Sequence, residues 1–144
     1  MTDETPCGPL DVPTLETLGR RAETLPLVRD WTFRPDRISP RVLEVRFDAE
    51  QYPAGVEAVR LDVRWFTDGT YSFHYREATE GDSWECRFDR HPKPDAPTIH
   101  YHPPPDGGSA EASPLNESHP LDCLFWVCAW IEDRVQGLHE SSEE

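Results

Sequence analysis

The chain has 144 residues, enough for one modest hydrophobic core, and it reads as a single domain over residues 1–144. Its 28 acidic residues against 14 basic ones give a formal net charge of -14, and Lys93 is the only lysine. A dense carboxylate surface repels itself in dilute buffer, but in molar salt the Debye length falls to about 3 Å, so this composition suits a salt-adapted, halophilic cytoplasm. Acidity ordinarily argues against nucleic-acid partners, because basic groups supply most of the non-specific affinity; at high salt that term is weak for every protein and excludes nothing.

No segment approaches the roughly 20 apolar residues of a membrane span. The opening MTDETPCGPL has neither the basic nor the apolar region of a signal peptide, so a cytoplasmic protein without membrane contact is expected. Cys7, Cys86, Cys123 and Cys128 show no C-x-x-C pair and no zinc-site spacing, and they read as reduced thiols, mostly in the core.

Residues 1–10 and 138–144 lack apolar anchors and are expected to fray. Over 11–25, Val12, Leu15, Leu18, Ala22 and Leu25 recur at helical spacing, with Asp11 as the cap and Pro13 tolerated in the first turn. A Pro-containing connection through Pro26, Pro35 and Pro40 leads to alternating residues over 41–47, a strand. The clearest half-buried strand covers 56–66, with Val59, Leu61, Val63 and Trp65 on one face and Arg60, Asp62 and Arg64 on the other.

Asp68-Gly69 then predicts a tight hairpin into TYSFHYR over 70–76. After a turn at Glu80-Gly81-Asp82, a strand over 83–90 places Trp84, Cys86 and Phe88 opposite Glu85, Arg87 and Asp89. Between His91 and Pro105 six prolines leave room for at most a short edge strand at Thr98 to His102. Residues 121–135 carry a broad apolar stripe including Trp126 and Trp130, with Gly137 as a terminator. The expected fold is α+β: an antiparallel β-meander of about four strands packed against a C-terminal helix, with a short N-terminal helix.

The chemistry-bearing residues cluster late. Alternation puts His100 and His102 on one side of their strand, close in sequence to Arg87, Asp89, Arg90 and His91. Two imidazoles beside a carboxylate suit acid/base work at neutral pH. In an RNA-cleaving site one histidine would take the 2′-hydroxyl proton, the other would protonate the leaving oxygen, and Arg87 or Arg90 would steady the phosphate. The candidate catalytic set is therefore Arg87, Asp89, His91, His100 and His102.

Other readings stay open. His100 and His102 could be surface residues of an edge strand, hydrogen-bonded to water, or two of three metal ligands completed by His91 or Asp89 in a hydrolase. The chain could also be a non-enzymatic interaction module docking through its sheet or through Trp126 and Trp130. The aromatic set Trp65, Phe66, Tyr71, Phe73, Tyr75, Trp84 and Phe88 could stack bases on an open sheet face or simply make the core. Gly107-Gly108 lacks the context of a phosphate-binding loop and there is no G-x-S-x-G elbow, so no cofactor is expected.

The order of parts from residue 41 to 135 resembles a known family. A tyrosine-rich strand (Tyr71, Tyr75) precedes an arginine-aromatic-aspartate signature (Arg87, Phe88, Asp89). A histidine- and proline-rich stretch (His91, His100, His102) and a C-terminal helix then follow. This is similar to the small TumE-type toxins of toxin–antitoxin operons. Arg90 stands where that family has an asparagine, and His100-Tyr101-His102 followed by three prolines replaces its proline-histidine-histidine cluster. The resemblance implies a growth-inhibiting protein neutralised by a cognate antitoxin, usually a DNA-binding protein with a helix-turn-helix; the RNA chemistry rests on the histidine and arginine set alone.

Overall fold

In the computed structural model of the chain, residues 8–91 and 98–142 are described. Helix α1 (Val12–Ala22) forms where the apolar spacing predicts it, and the Asp11 carboxylate caps it, accepting from the Thr14 amide at 3.2 Å and its hydroxyl at 2.8 Å. Strands β1 (Val28–Arg34), β2 (Val42–Phe47), β3 (Val56–Trp65), β4 (Tyr71–Thr79), β5 (Asp82–Arg90), β6 (Ile99–His102) and β7 (Glu111–Ala112) follow, then helix α2 (Pro120–Ser142). The strands make one antiparallel sheet in the order β1-β2-β3-β4-β5-β6-β7, so the meander has seven strands rather than about four.

Two corrections concern what flanks the expected strands. The connection between Pro26 and Pro40 contains β1; its period of two is broken by a bulge between Val28 and Asp30, which hides the alternation of Trp31 and Phe33 in the sequence. The strand carrying the histidines is not an edge, because β7 pairs with it at His100↔Ala112 and Tyr101↔Glu111. The C-terminal helix also runs through Gly137 to Ser142.

Both helices lie on one face of the sheet. Leu43 and Val45 (β2), Leu61 and Val63 (β3), Phe73 and Tyr75 (β4) and Cys86 and Phe88 (β5) form the buried layer beneath Leu15, Leu18, Leu124, Val127 and Ile131. Each fully buried aliphatic side chain contributes on the order of 2 kcal/mol. Trp126 and Trp130 both meet Phe88 edge-on at 5.4 Å between ring centroids, so they belong to the sheet–helix seam. Of the aromatic set, Trp65, Tyr71, Phe73, Tyr75 and Phe88 are buried, which removes them from any base-stacking platform.

The opposite face is polar by the same alternation. Cross-strand register aligns Glu44, Asp62, His74, Arg87 and His102 in one row from β2 to β6, and Ser72, Asp89 and His100 in the next. No helix covers this face among the described residues.

Candidate functional site

The sequence-predicted residues converge at the β5–β6 end of the polar face. Pairing brings Arg87 opposite His102 and Asp89 opposite His100, and inward and outward residues alternate, so all four side chains project from the same side. The ligand-capable atoms of Asp89, His100 and His102 lie within 4.8 Å of one another. Asp89 Oδ2 is 3.5 Å from His100 Nε2 and 3.3 Å from His102 Nε2, and it accepts a 2.8 Å bond from Arg87 Nε. His91 is joined to the group through its ring, 5.6 Å from that of His100.

Hydrogen bonding places a proton on His102 Nδ1. Its Nδ1 lies 2.8 Å from the Gly108 carbonyl, which only accepts, and its Nε2 lies 3.1 Å from Arg87 Nη2, which only donates. Nδ1 therefore carries a proton, while Nε2 faces both the Arg87 guanidinium and Asp89 Oδ2, the latter 3.3 Å away. Residues 103–110 make this possible by folding back on the sheet end, where the Gly108 amide donates to the Pro103 carbonyl and the Glu85 amide to that of Pro105.

Burial separates roles within the cluster. His100 is fully buried and His102 and Asp89 nearly so, which corrects the reading of the histidines as surface residues of an edge strand. Arg87 and His91 remain partly exposed. Beside them a cleft of about 160 Å³ is lined by Thr70, Ser72, Arg87, Asp89, Arg90 and His91 among others. Asp89 Oδ1 is buried and accepts no hydrogen bond among the described residues.

A metal ion at Asp89, His100 and His102 would meet an obstacle: the Arg87 guanidinium already bonds Asp89 Oδ2 and His102 Nε2, two of the atoms that would hold it. The cluster as it stands holds a cation of its own, with further N–H groups available to an anion.

Two features of the site region escaped the sequence reading. His74, in the same polar row as Arg87, bonds Glu85 of the neighbouring row, its pKa held below the usual 6.5 chiefly by burial, against the opposing pull of the Glu85 carboxylate. On the helix side, buried Glu77 receives Tyr75 Oη at 2.7 Å and Arg134 of α2 through two bonds of 2.9 and 2.8 Å. Arg134 also lies 3.5 Å above the Trp84 ring. A charged residue at an apolar phase of the strand is the signal for the second; the first needs the register.

A seven-stranded α+β meander, backed by two helices on one face and bearing a His-Asp-Arg cluster on the other, is the class of protein that fold and site define. The family model described as Toxin TumE matches residues 16–135, and the chain belongs to that toxin family. The match begins inside α1, further toward the N-terminus than the motif resemblance reaches. None of the curated proteins and none of the solved structures compared with the chain matches it. Membership makes the protein a toxin-like component of a toxin–antitoxin pair and implies an antitoxin partner. Among the described residues no helix is long and apolar enough to cross a membrane.

Proposed function

We propose that this toxin acts on RNA in the cytoplasm, breaking a phosphodiester bond by internal attack of the 2′-hydroxyl. The observation that carries the reading is the placement of His102, whose Nδ1 is held by the Gly108 carbonyl and whose Nε2 meets the Arg87 guanidinium beside Asp89. Arg87 and Arg90 hold the phosphate, and His102 takes the 2′-hydroxyl proton as Arg87 turns to the substrate. His91, partly exposed at the cleft, protonates the departing 5′-oxygen, leaving a 2′,3′-cyclic phosphate and a free 5′-hydroxyl. Asp89 and His100 are positioning residues: Asp89 orients Arg87, and His100 backs Asp89 from the interior. The neutralising antitoxin is read as a helix-turn-helix protein, as the family resemblance implies.

The test is cleavage of an oligoribonucleotide and of its all-DNA counterpart by purified protein in the presence of EDTA. Cyclic-phosphate ends on RNA alone, with His102→Ala and Arg87→Ala each slowing the reaction by about 100-fold or more, are the expected result. No cleavage, or full activity in His102→Ala, overturns it. A second reading, a metal-dependent hydrolase, is favoured by the mutual approach of Asp89, His100 and His102 and by the unpaired Asp89 oxygen. Activity lost in EDTA and restored by a divalent cation would select it.

A further inference from the structure

Arg46, Arg60 and Arg76 stand directly opposite one another on β2, β3 and β4, on the polar face. Like charges in direct cross-strand register ordinarily destabilise a sheet. Here the Nε side of each is held. Arg46 Nε donates to Asp30 at 2.6 Å, Arg60 Nε to Asp62 at 3.1 Å and Arg76 Nε to His74 at 3.3 Å, with Glu85 at 3.6 Å from the last. Arg87, one row along on β5, repeats the pattern with Asp89.

These four arginines face five carboxylates, Asp30, Glu44, Asp62, Glu85 and Asp89, and most of the charges are layered. Side-chain exposure is 36% for Arg46, 42% for Arg60, 43% for Arg76 and 39% for Arg87, against 13% for Glu44, 15% for Asp62, 27% for Glu85 and 8% for Asp89. Around Arg60, Arg76 and Arg87 the carboxylates therefore form the floor and the guanidinium groups the outer layer, whereas Asp30 beside Arg46 is exposed at 42% against 36% for its partner. The terminal Nη atoms of Arg60 and Arg76 make no hydrogen bond among the described residues. A concavity of about 330 Å³ at this end of the sheet is lined by Arg29, Arg46, Arg60 and Arg76, together with Glu44, Glu57 and Glu77. With strands about 4.8 Å apart, the three aligned arginines cover about 10 Å across the sheet before the diagonal step to Arg87.

We propose that this arginine layer is the track on which a single-stranded RNA backbone lies, its phosphates passing over Arg46, Arg60 and Arg76 toward Arg87. The inference rests on the reading of the toxin as RNA-directed and deepens it. In a molecule of net charge -14, a row of partly exposed guanidiniums offers donors to a polyanion, and the contacts that fix each Nε pre-orient the terminal nitrogens for phosphate oxygens.

The experiment is fluorescence anisotropy of a 2′-O-methylated oligoribonucleotide, which offers no nucleophile, titrated with wild type, R60Q/R76Q and R60K/R76K over a range of salt. Circular dichroism verifies that the variants are folded. Expected are at least tenfold weaker binding by R60Q/R76Q, a salt slope shallower by about 1.4 (about 0.7 for each lost phosphate contact), and retention of most of that slope by R60K/R76K. Equal affinity and slope in R60Q/R76Q and wild type overturn the track. If wild type then still cleaves RNA, only the track falls; if R60Q/R76Q binds weakly but no protein cleaves, the track stands and the proposed chemistry falls. Loss of antitoxin binding by R60Q/R76Q with RNA binding unchanged assigns the face to the antitoxin and overturns the inference.

Discussion

Glu77 sits on the buried phase of β4 between aromatic neighbours, and its cost of desolvation is offset by two bonds from Arg134 and one from the Tyr75 hydroxyl. Removing the cation leaves a buried carboxylate unpaired, so Arg134→Met should lower stability by about 3 kcal/mol in urea unfolding, and Glu77→Gln in the same background should recover part of that loss. Burial also pushes the thiols of Cys86, Cys123 and Cys128 up to about 12. A Cys7→Ser variant should consequently resist iodoacetamide at pH 8 when native and label at all three remaining cysteines in denaturant. His74, depressed by burial, binds a proton more readily unfolded than folded. Its contribution to stability is complete above the unfolded value of about 6.5 and is lost as pH falls from there through the folded value; His74→Gln should flatten the decline of the urea midpoint between about pH 7 and 5. Of these residues, only the cysteines were legible from spacing and hydrophobic surroundings. Glu77 finds its partner 57 positions away, and nothing local in the sequence names Arg134.

At the scale of elements, α1 approaches β1 as closely as it does because Gly19 has no side chain. A Cβ there would lie 2.6 Å from the Trp31 ring, which is itself tied to Glu23 through its indole N–H at 2.6 Å. Gly19→Ala should therefore cost about 1 to 3 kcal/mol, measured by thermal or urea unfolding, despite alanine's better helix propensity. Strands β3, β4 and β5 could be read from the sequence because each is long, half-buried and bounded by Asp-Gly or Glu-Gly-Asp turns. Strand β1 was missed because a bulge spoils its alternation, and β7 because two residues carry no period at all. Yet β7 and the loop before it decide the site: they turn β6 from an edge into an inner strand and bring the Gly108 carbonyl to His102.

For the whole molecule, the charge of -14 predicts a melting temperature that rises as potassium chloride is raised from about 0.05 M toward molar concentrations, as screening relieves carboxylate repulsion. No gain in stability on adding salt would show that the acidic surface is not self-repelling. By itself the sequence determined the α+β class, the two faces of each long strand, the helix over α1 and the buried stripe of α2, because these follow from local period and residue type. Only the tertiary structure decided which strand lies beside which. That in turn settled the interior position of β6, the burial of His100 and His102, the contact of His102 Nδ1 with the Gly108 carbonyl, and the alignment of three arginines across separate strands. These depend on register and loop return, which are set by contacts distant in the chain and leave no local periodicity to read.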